Sequence, residues 1–370
     1  MKRKKIAKYI LVLSFYIIVC FSRFAYWIFE EISEKENYEN RNLATKPILT
    51  IENYASYPEE YNLYINDNIQ FRNELITLNS MVDYKIFDRS TSPDVVIGKN
   101  GFLFYSKIED GDPIGTYKGE NLYSEEELEM IAQNCVHQKD YLSSLGKEFV
   151  LFIAPNKERV YSEYMPSNIG APATEYKVLQ VYNYLKNNTD IRVVYCYEDL
   201  MKAKEECDVN LWYKTDTHWN MVGGYVGARS LMNELGILIP AIGDDNVQIV
   251  KGPEMSGDLA GLLHLKEQLV NTDNIYSIAW NGYCDVETLA YDFNETYVFH
   301  TNNKDARKLY VIRDSFSMAL ADYMKCYFND SYWRYVMTYS YEDFVEQDPD
   351  IVVYEVVERG IDRLKDFSIQ

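Results

Sequence analysis

The chain has 370 residues, enough for one large domain or two modest ones, and its 47% hydrophobic and 25% charged composition is that of a globular protein. A formal charge of −20 argues against nucleic acid or an anionic lipid surface as the partner, since both call for a basic face. The 34 tyrosines present flat apolar faces with a hydroxyl, suited to half-buried packing and to sugar contact alike.

The start departs from this acidic pattern. "MKRKK" is followed by "IAKYILVLSFYIIVCFSRFAYWIF", close to the roughly 20 apolar residues a spanning helix needs. Lys2, Arg3, Lys4, Lys5 and Lys8 precede the apolar run, and Glu30, Glu31 and Glu34 follow it. The positive-inside rule then keeps the N-terminus cytoplasmic and exports the rest. A cleaved signal peptide is the competing reading, but "CFSRFAYW" offers no small-x-small cleavage site. Residues 1–30 are therefore expected to be a basic tail and a single-pass plasma-membrane helix, with an extracytoplasmic body. Cys20 lies in that segment. Cys135, Cys196, Cys207, Cys284 and Cys326 remain, an odd set without CxxC spacing, and read as small buried hydrophobes.

Residues 31–95 form a polar lead-in with helical periodicity in "FRNELITLNSMVDYKIF". "VVIGKNGFLFY" predicts a β-hairpin turning at Asn100-Gly101. "SEEELEMIAQNCVHQKDYLSSLG" predicts a helix opened by a capping box of Ser124 with Glu127 and closed at Gly146. "EFVLFIA", "DIRVVYCY" and "VNLWYKT" read as buried strands, and "NMVGGYVGARSLMNELG" as a helix ending at Gly236. After an irregular stretch containing "MSGDLAGLL", residues 275–300 read as short β segments. "KLYVIRDSFSMALADYM" predicts strand, tight turn and helix, and "YWRYVMTY", "YEDFVEQ" and "DIVVYEVV" predict strand, helix and strand. Apolar strands alternating with amphipathic helices imply an α/β layered domain over 96–370 with a mostly parallel sheet.

Open α/β sheets place ligand chemistry at the carboxyl ends of their strands. Two such ends carry reactive side chains. Ser315 follows "KLYVI", where its backbone N–H is an orphan donor at a helix start and its hydroxyl a nucleophile for any base in reach. The alternative is that Asp314-Ser315 merely caps the helix. Asp216 and His218 follow "VNLWYKT". If extended, residues two apart share a face, so the carboxylate would fix the imidazole's tautomer. Thr217 would then point away and Trp219 would wall off the ring. An exposed Asp–His loop pair is the alternative. His137, His264 and His300 form no metal-ligand spacing, and no cofactor motif is present.

"TDTHWN" followed by "VIRDSF" resembles the alginate O-acetyltransferase family, SGNH-hydrolase-like proteins with an Asp-x-His motif ahead of the serine motif. More closely, the chain is similar to the "DHHW" proteins of that group. "YINDNIQFRNELI", "VVIGKNGFLFY", "APNKERVYSEYMP" and "DIVVYEVVERG" fit the same pattern, so the resemblance spans roughly residues 40–360. It implies an SGNH-hydrolase-like three-layer domain and a triad of Ser315, His218 and Asp216, with no metal or cofactor. The sequence departs from the pattern at Thr217, where DHHW proteins have His, and at Arg313, where many relatives have Gly.

The implied activity is cell-surface O-acetyl transfer to an exported or envelope polysaccharide, or its removal, with a membrane-bound O-acyltransferase as acetyl donor. Asn156 is a candidate oxyanion donor or a turn residue. Lys157, Arg159 and Tyr161 are candidates for an acceptor groove or a solvated edge. Arg313 either crowds the turn or binds an anionic group, and Glu355 with Arg359 is expected to form a structural ion pair. A catalytically inactive surface protein that uses this scaffold to bind glycan or the membrane partner is the second reading.

Overall fold

In the computed structural model, which describes residues 9–17, 42–69, 71–280, 284–302 and 306–369, the expected membrane segment of residues 1–30 lies mostly outside the described residues, and only residues 9–17 of it are seen, as helix. Among the described residues no helix is long and apolar enough to cross a membrane. The chain divides into two units, residues 1–92 with 261–265, and residues 93–260 with 266–370. The first unit contains α1 (Tyr57–Asp67) and α2 (Arg72–Phe87). Pro58 near its start and Glu59 and Glu60 in its first turn suit α1 to the positive end of a helix dipole. Helix α2 covers the stretch predicted from its periodicity.

The second unit opens with the hairpin β1 (Val95–Ile97) and β2 (Leu103–Tyr105), whose turn places Asn100 at φ 54° and Gly101 at φ 80°. There follow α3 (Glu125–Ser144), β3 (Glu148–Ala154), α4 (Lys177–Asn188), β4 (Arg192–Tyr195), α5 (Tyr197–Glu206) and α6 (Met221–Glu234). An antiparallel ribbon of β5 (Val247–Met255) and β6 (Asp273–Trp280) leads to β7 (Val286–Tyr291), β8 (Thr296–Thr301) and β9 (Lys308–Arg313). Then come α7 (Ser317–Met324), β10 (Asp330–Tyr335), α8 (Tyr341–Gln347) and β11 (Ile351–Val357). The capping box forms as expected: Ser124 Oγ accepts from the Glu127 N–H, and Glu127 Oε2 accepts from the Ser124 N–H at 2.9 Å.

Seven strands make one sheet in the order β4-β3-β11-β9-β10-β8-β7. The first five run parallel, and β8 and β7 close one edge antiparallel. The central strands β3, β9 and β11 are apolar on both faces because both are covered there, whereas the edge strand β7 is largely exposed. Along β3, Phe149, Leu151 and Ile153 join a core with Leu128, Ile131 and Leu142 of α3 and Val178, Val181 and Leu185 of α4. Val150, Phe152 and Ala154 join the opposite core, with Val222, Tyr225 and Leu231 of α6 and Leu320 of α7. This is the three-layer, mostly parallel α/β arrangement expected from the sequence. Cys135, Cys196 and Cys326 are buried as predicted, whereas Cys284 is exposed.

"VNLWYKT" is not a strand. Leu211 and Trp212 are buried, but the only β pairing there is an isolated bridge between Trp212 and Trp219. The Leu103 N–H of β2 donates to the Lys214 carbonyl at 2.8 Å, and side chains satisfy much of the remaining backbone. Asp273 accepts the N–H groups of Lys214 and Thr215 at 2.6 and 2.9 Å, and Lys157 donates to the carbonyls of Tyr213, Lys214 and Asp216. Apolar burial therefore looks like a strand in the sequence although no neighbouring strand forms a ladder with it.

Helices α6 and α7, which flank this loop and the Ser315 turn, meet through Gly224. A Cβ at that position would lie 2.2 Å from the Ala319 Cβ, so any side chain forces the helices apart. Gly224→Val should destabilise the protein by about 1–3 kcal/mol and lower turnover together with the melting temperature. A thermal melt measured beside ester hydrolysis checks this, and an unchanged Tm would rule out the tight contact.

Candidate active site

The turn after β9 separates two tasks that the sequence leaves combined. Asp314 takes the structural one. Its Oδ1 accepts from the Phe316 N–H at 2.9 Å and its Oδ2 from the Val357 N–H at 2.7 Å, while its own N–H donates to Glu355 Oε2 at 2.8 Å. Burial, then the neighbouring Asp314 charge, pushes the Glu355 carboxyl well above the ordinary range. With Asp314 bracing the turn, the Ser315 hydroxyl is not needed for capping. It lies 2.8 Å from His218 Nε2, across 97 residues of sequence. The Ser315 N–H makes no hydrogen bond among the described residues, which leaves it available to a developing oxyanion.

His218 Nδ1 lies 2.7 Å from Asp216 Oδ1, and the His218 N–H donates to the same oxygen at 2.9 Å. The second carboxylate oxygen accepts from the Asp258 N–H at 3.0 Å. Burial alone would raise the Asp216 pKa, but the hydrogen bond and charge of His218, with the two backbone donors, outweigh it and hold the carboxyl down at about 2. Asp216 therefore stays ionised and keeps the proton of a neutral imidazole on Nδ1, leaving Nε2 to accept from Ser315.

Two neighbours depart from expectation. Thr217 does not point away, because the segment bends instead of extending. Its Oγ1 donates to Asp258 Oδ2 at 2.6 Å and lies 3.2 Å from His218 Nδ1. Asp258 is a functional candidate that sequence reasoning missed. Its carboxylate also accepts from the Thr217 N–H at 2.7 Å and lies 3.9 Å from His218 Nδ1. Burial and the Asp216 charge push its pKa up. The signal in the sequence is the Gly257-Asp258 pair: a Cβ on Gly257 would sit 2.2 Å from the Asp216 Cβ, so glycine alone lets the chain approach closely enough. The Asp258 side chain is 44% exposed, so solvent reaches the 3.9 Å charge pair and screens it to about 1 kcal/mol. Asp258→Asn should accordingly lower kcat about fivefold with KM unchanged, as measured by steady-state ester kinetics. A KM effect alone would make Asp258 a substrate contact instead.

The remaining candidates occupy other places. Lys157 is buried, its ammonium engaged by the carbonyls of Tyr213, Lys214 and Asp216, and burial lowers its pKa to about 8. It holds the loop and has no donor left for a ligand. Arg313 is fully buried and does not line the cavity at the serine. Its guanidinium lies over the Tyr297 ring at 4.1 Å and donates to the Asp292 and Phe293 carbonyls. Asn156 Oδ1 accepts from the Arg359 N–H at 3.3 Å. Arg159 stacks on Tyr176 at 3.6 Å, and the Tyr161 hydroxyl accepts from the Leu211 N–H. Trp219 donates to the Phe316 carbonyl at 2.9 Å, and Phe316, not Trp219, packs beside the imidazole at 5.1 Å. Glu355 and Arg359 do not pair: Glu355 serves Asp314, and Arg359 faces Asp110 at 3.6 Å.

Ser315, His218, Asp216 and Trp219 line one cavity of about 340 Å³, with Tyr213, Met221, Met255, Ile275, Phe316, Met318 and Ala319. Asn156, Lys157 and Arg313 do not line it. Asp216, His218 and Asp258 bring ligand atoms within 4.8 Å of one another, a grouping created by the fold and absent from the histidine spacings. A cation there would displace the Nδ1–Asp216 hydrogen bond, so metal binding and the proton relay are competing uses of the same atoms.

Residues 95–277 match the family model of the SGNH hydrolase-like domain of acetyltransferase AlgX, a span that includes Asp216 and His218 and stops before Ser315. Among curated proteins, the chain is similar to the probable alginate O-acetylase AlgJ of Pseudomonas putida, 29% identical over 189 residues, covering 50% of this chain and 45% of that one. The probable alginate O-acetylase AlgJ of Pseudomonas syringae pv. tomato is 26% identical over 238 residues, covering 60% and 54%. The chain thus spans about half the length of the curated relatives it matches. Among solved structures it shares its fold with Bacillus cereus PatB1, at TM-score 0.52 and 16% identity over 73% of this chain and 96% of that one. It shares it also with a DHHW family protein from Eubacterium siraeum, at TM-score 0.51 and 15% identity over 74% and 98%.

Proposed function

The resemblance to the alginate O-acetyltransferase-like, DHHW-type proteins of the SGNH hydrolase superfamily holds in sequence and in fold, and on that premise we propose that the chain is an O-acetyltransferase or acetylesterase acting on an exported or envelope polysaccharide through a Ser-His-Asp acyl-enzyme mechanism. One observation carries this reading: Ser315 Oγ, His218 and Asp216 form a continuous relay, with contacts of 2.8 and 2.7 Å. In it Ser315 Oγ attacks the acyl carbonyl while His218 Nε2 takes its proton. Asp216 stabilises the imidazolium, and the Ser315 N–H donates to the oxyanion. The leaving group departs with the proton from Nε2. A sugar hydroxyl, or water in the esterase case, then gives its proton to Nε2 and takes the acyl group.

The basic tail and apolar run of residues 1–30 support a single-pass plasma-membrane anchor, with the catalytic unit on the outer face. That side is where an exported glycan and a membrane-bound O-acyltransferase donor would both be met. The test uses the full chain in detergent, mixed with 4-nitrophenyl acetate and quenched in acid. Peptide mass analysis should find an acetyl group on Ser315, and added oligosaccharide should discharge it faster than water if the protein is a transferase. Turnover without that mark would reject the serine mechanism.

A further inference from the structure

Beside the nucleophile lies more apolar space than an acetyl group can fill. The cavity that opens onto Ser315 Oγ has about 340 Å³. A methyl group is close in size to a water molecule, whose share of liquid volume is about 30 Å³, so the methyl of an acetyl-enzyme would take up about a tenth of that space. Apart from the three relay residues, the wall is Tyr213, Met221, Met255, Ile275, Met318 and Ala319, with the aromatic rings of Trp219 and Phe316. The Trp219 N–H is already bonded to the Phe316 carbonyl, which leaves the Tyr213 hydroxyl as the one polar side-chain group outside the relay. A sugar buried there would leave most of its hydroxyls without partners, which is costly. An alkyl chain would meet thioethers and a branched aliphatic that are otherwise left facing water: Met318 is 37% and Ile275 43% exposed.

We infer that this site takes, besides acetyl, longer acyl groups from butanoyl to hexanoyl, with the chain lying against Met221, Ile275 and Met318 while the carbonyl is held at Ser315. The inference rests on the acyl-enzyme reading above and names the acyl class that it carries. The chemistry is unchanged. The Oγ–acyl bond forms as the donor's C–O bond breaks, the Oγ proton passes through His218 Nε2 to the leaving oxygen, and the acceptor's hydroxyl proton later returns by the same nitrogen as the Oγ–acyl bond breaks. Each methylene moved from water into the cavity should raise kcat/KM about threefold to fourfold until the space is filled.

The experiment measures kcat/KM of the full chain for 4-nitrophenyl acetate, butanoate, hexanoate and decanoate, each divided by its hydroxide-catalysed rate, with Ser315→Ala as background. The expected result is a rise from acetate to hexanoate and a fall at decanoate. Met318→Trp, which fills the cavity from an exposed position, should lower the hexanoate-to-acetate ratio at least tenfold. Ser315-dependent turnover with butanoate and hexanoate at or below acetate overturns this inference alone. So does a Met318→Trp ratio equal to that of the native chain. No Ser315-dependent turnover of any ester overturns this inference together with the acyl-enzyme reading.

Discussion

Ser315→Ala should lower turnover of an acetate ester by about 10⁴-fold or more while leaving the melting temperature nearly unchanged. The rate loss follows from the relay: without Oγ, His218 Nε2 has no hydroxyl to deprotonate, and only the oxyanion donor and substrate binding remain. The retained stability follows from the turn. Were Ser315 a helix cap, alanine would cost about 1 kcal/mol. The capping contacts belong to Asp314 instead, whose carboxylate holds the Phe316 and Val357 N–H groups. Ester kinetics and a thermal melt on the same preparation therefore separate the catalytic reading from the capping one. A fall in Tm with turnover intact would favour the cap.

Asp216→Asn should lower kcat by about 10³–10⁴-fold. Both carboxylate oxygens act as acceptors, Oδ1 from His218 and Oδ2 from the Asp258 N–H. An amide has only one acceptor oxygen. If it faces His218, its NH₂ opposes the Asp258 N–H. If it flips, its NH₂ donates to Nδ1 and moves the imidazole proton to Nε2, where it blocks acceptance from Ser315. The substitution also changes the acid response. The Asp216 carboxyl is held at about 2, below the usual value near 3.9, so its ionised form adds about 2–3 kcal/mol of stability. Because the folded pKa is the lower one, that contribution is complete above about pH 4 and disappears as pH falls toward 2. Acid unfolding of Asp216→Asn should lack this part of the slope, and identical acid curves would count against the buried Asp–His contact.

Much of the architecture was legible because its signals are local. The capping box at Ser124, the Asn100-Gly101 turn and the two-sided apolar strands β3, β9 and β11 each follow from residue type and spacing. The relay residues were legible as two motifs, since each carries a side chain with a chemical role. What escaped depends on contacts distant in sequence. "VNLWYKT" is apolar for burial without pairing, and its backbone partners, Lys157 and Asp273, lie 56 to 59 residues away. Thr217 was assigned to the wrong face because alternation holds only for extended chain, and this chain bends. Asp258 is 41 residues from Thr217, and nothing in "MSGDLAGLL" states which loop it meets. Arg313 raised a question of crowding that Tyr297 of β8 and two carbonyls of the turn before that strand answer.

The side-chain pins on the loop that carries Asp216 and His218 bear on how the protein reaches its native state. The loop's carbonyls are held by a lysine that precedes it by 56 to 59 residues, and its N–H groups by an aspartate that follows at a similar remove. His218 meets its serine only across 97 residues. None of these contacts can form before the long intervening stretches of chain have closed, and such closures are the slow steps of folding. The relay is therefore expected to form only together with the sheet, in which β11 joins β3 to β9. During synthesis Ser315 emerges after Asp216 and His218, and β10 and β11 emerge after Ser315, so all three relay residues are made before the last strands of the sheet that positions them.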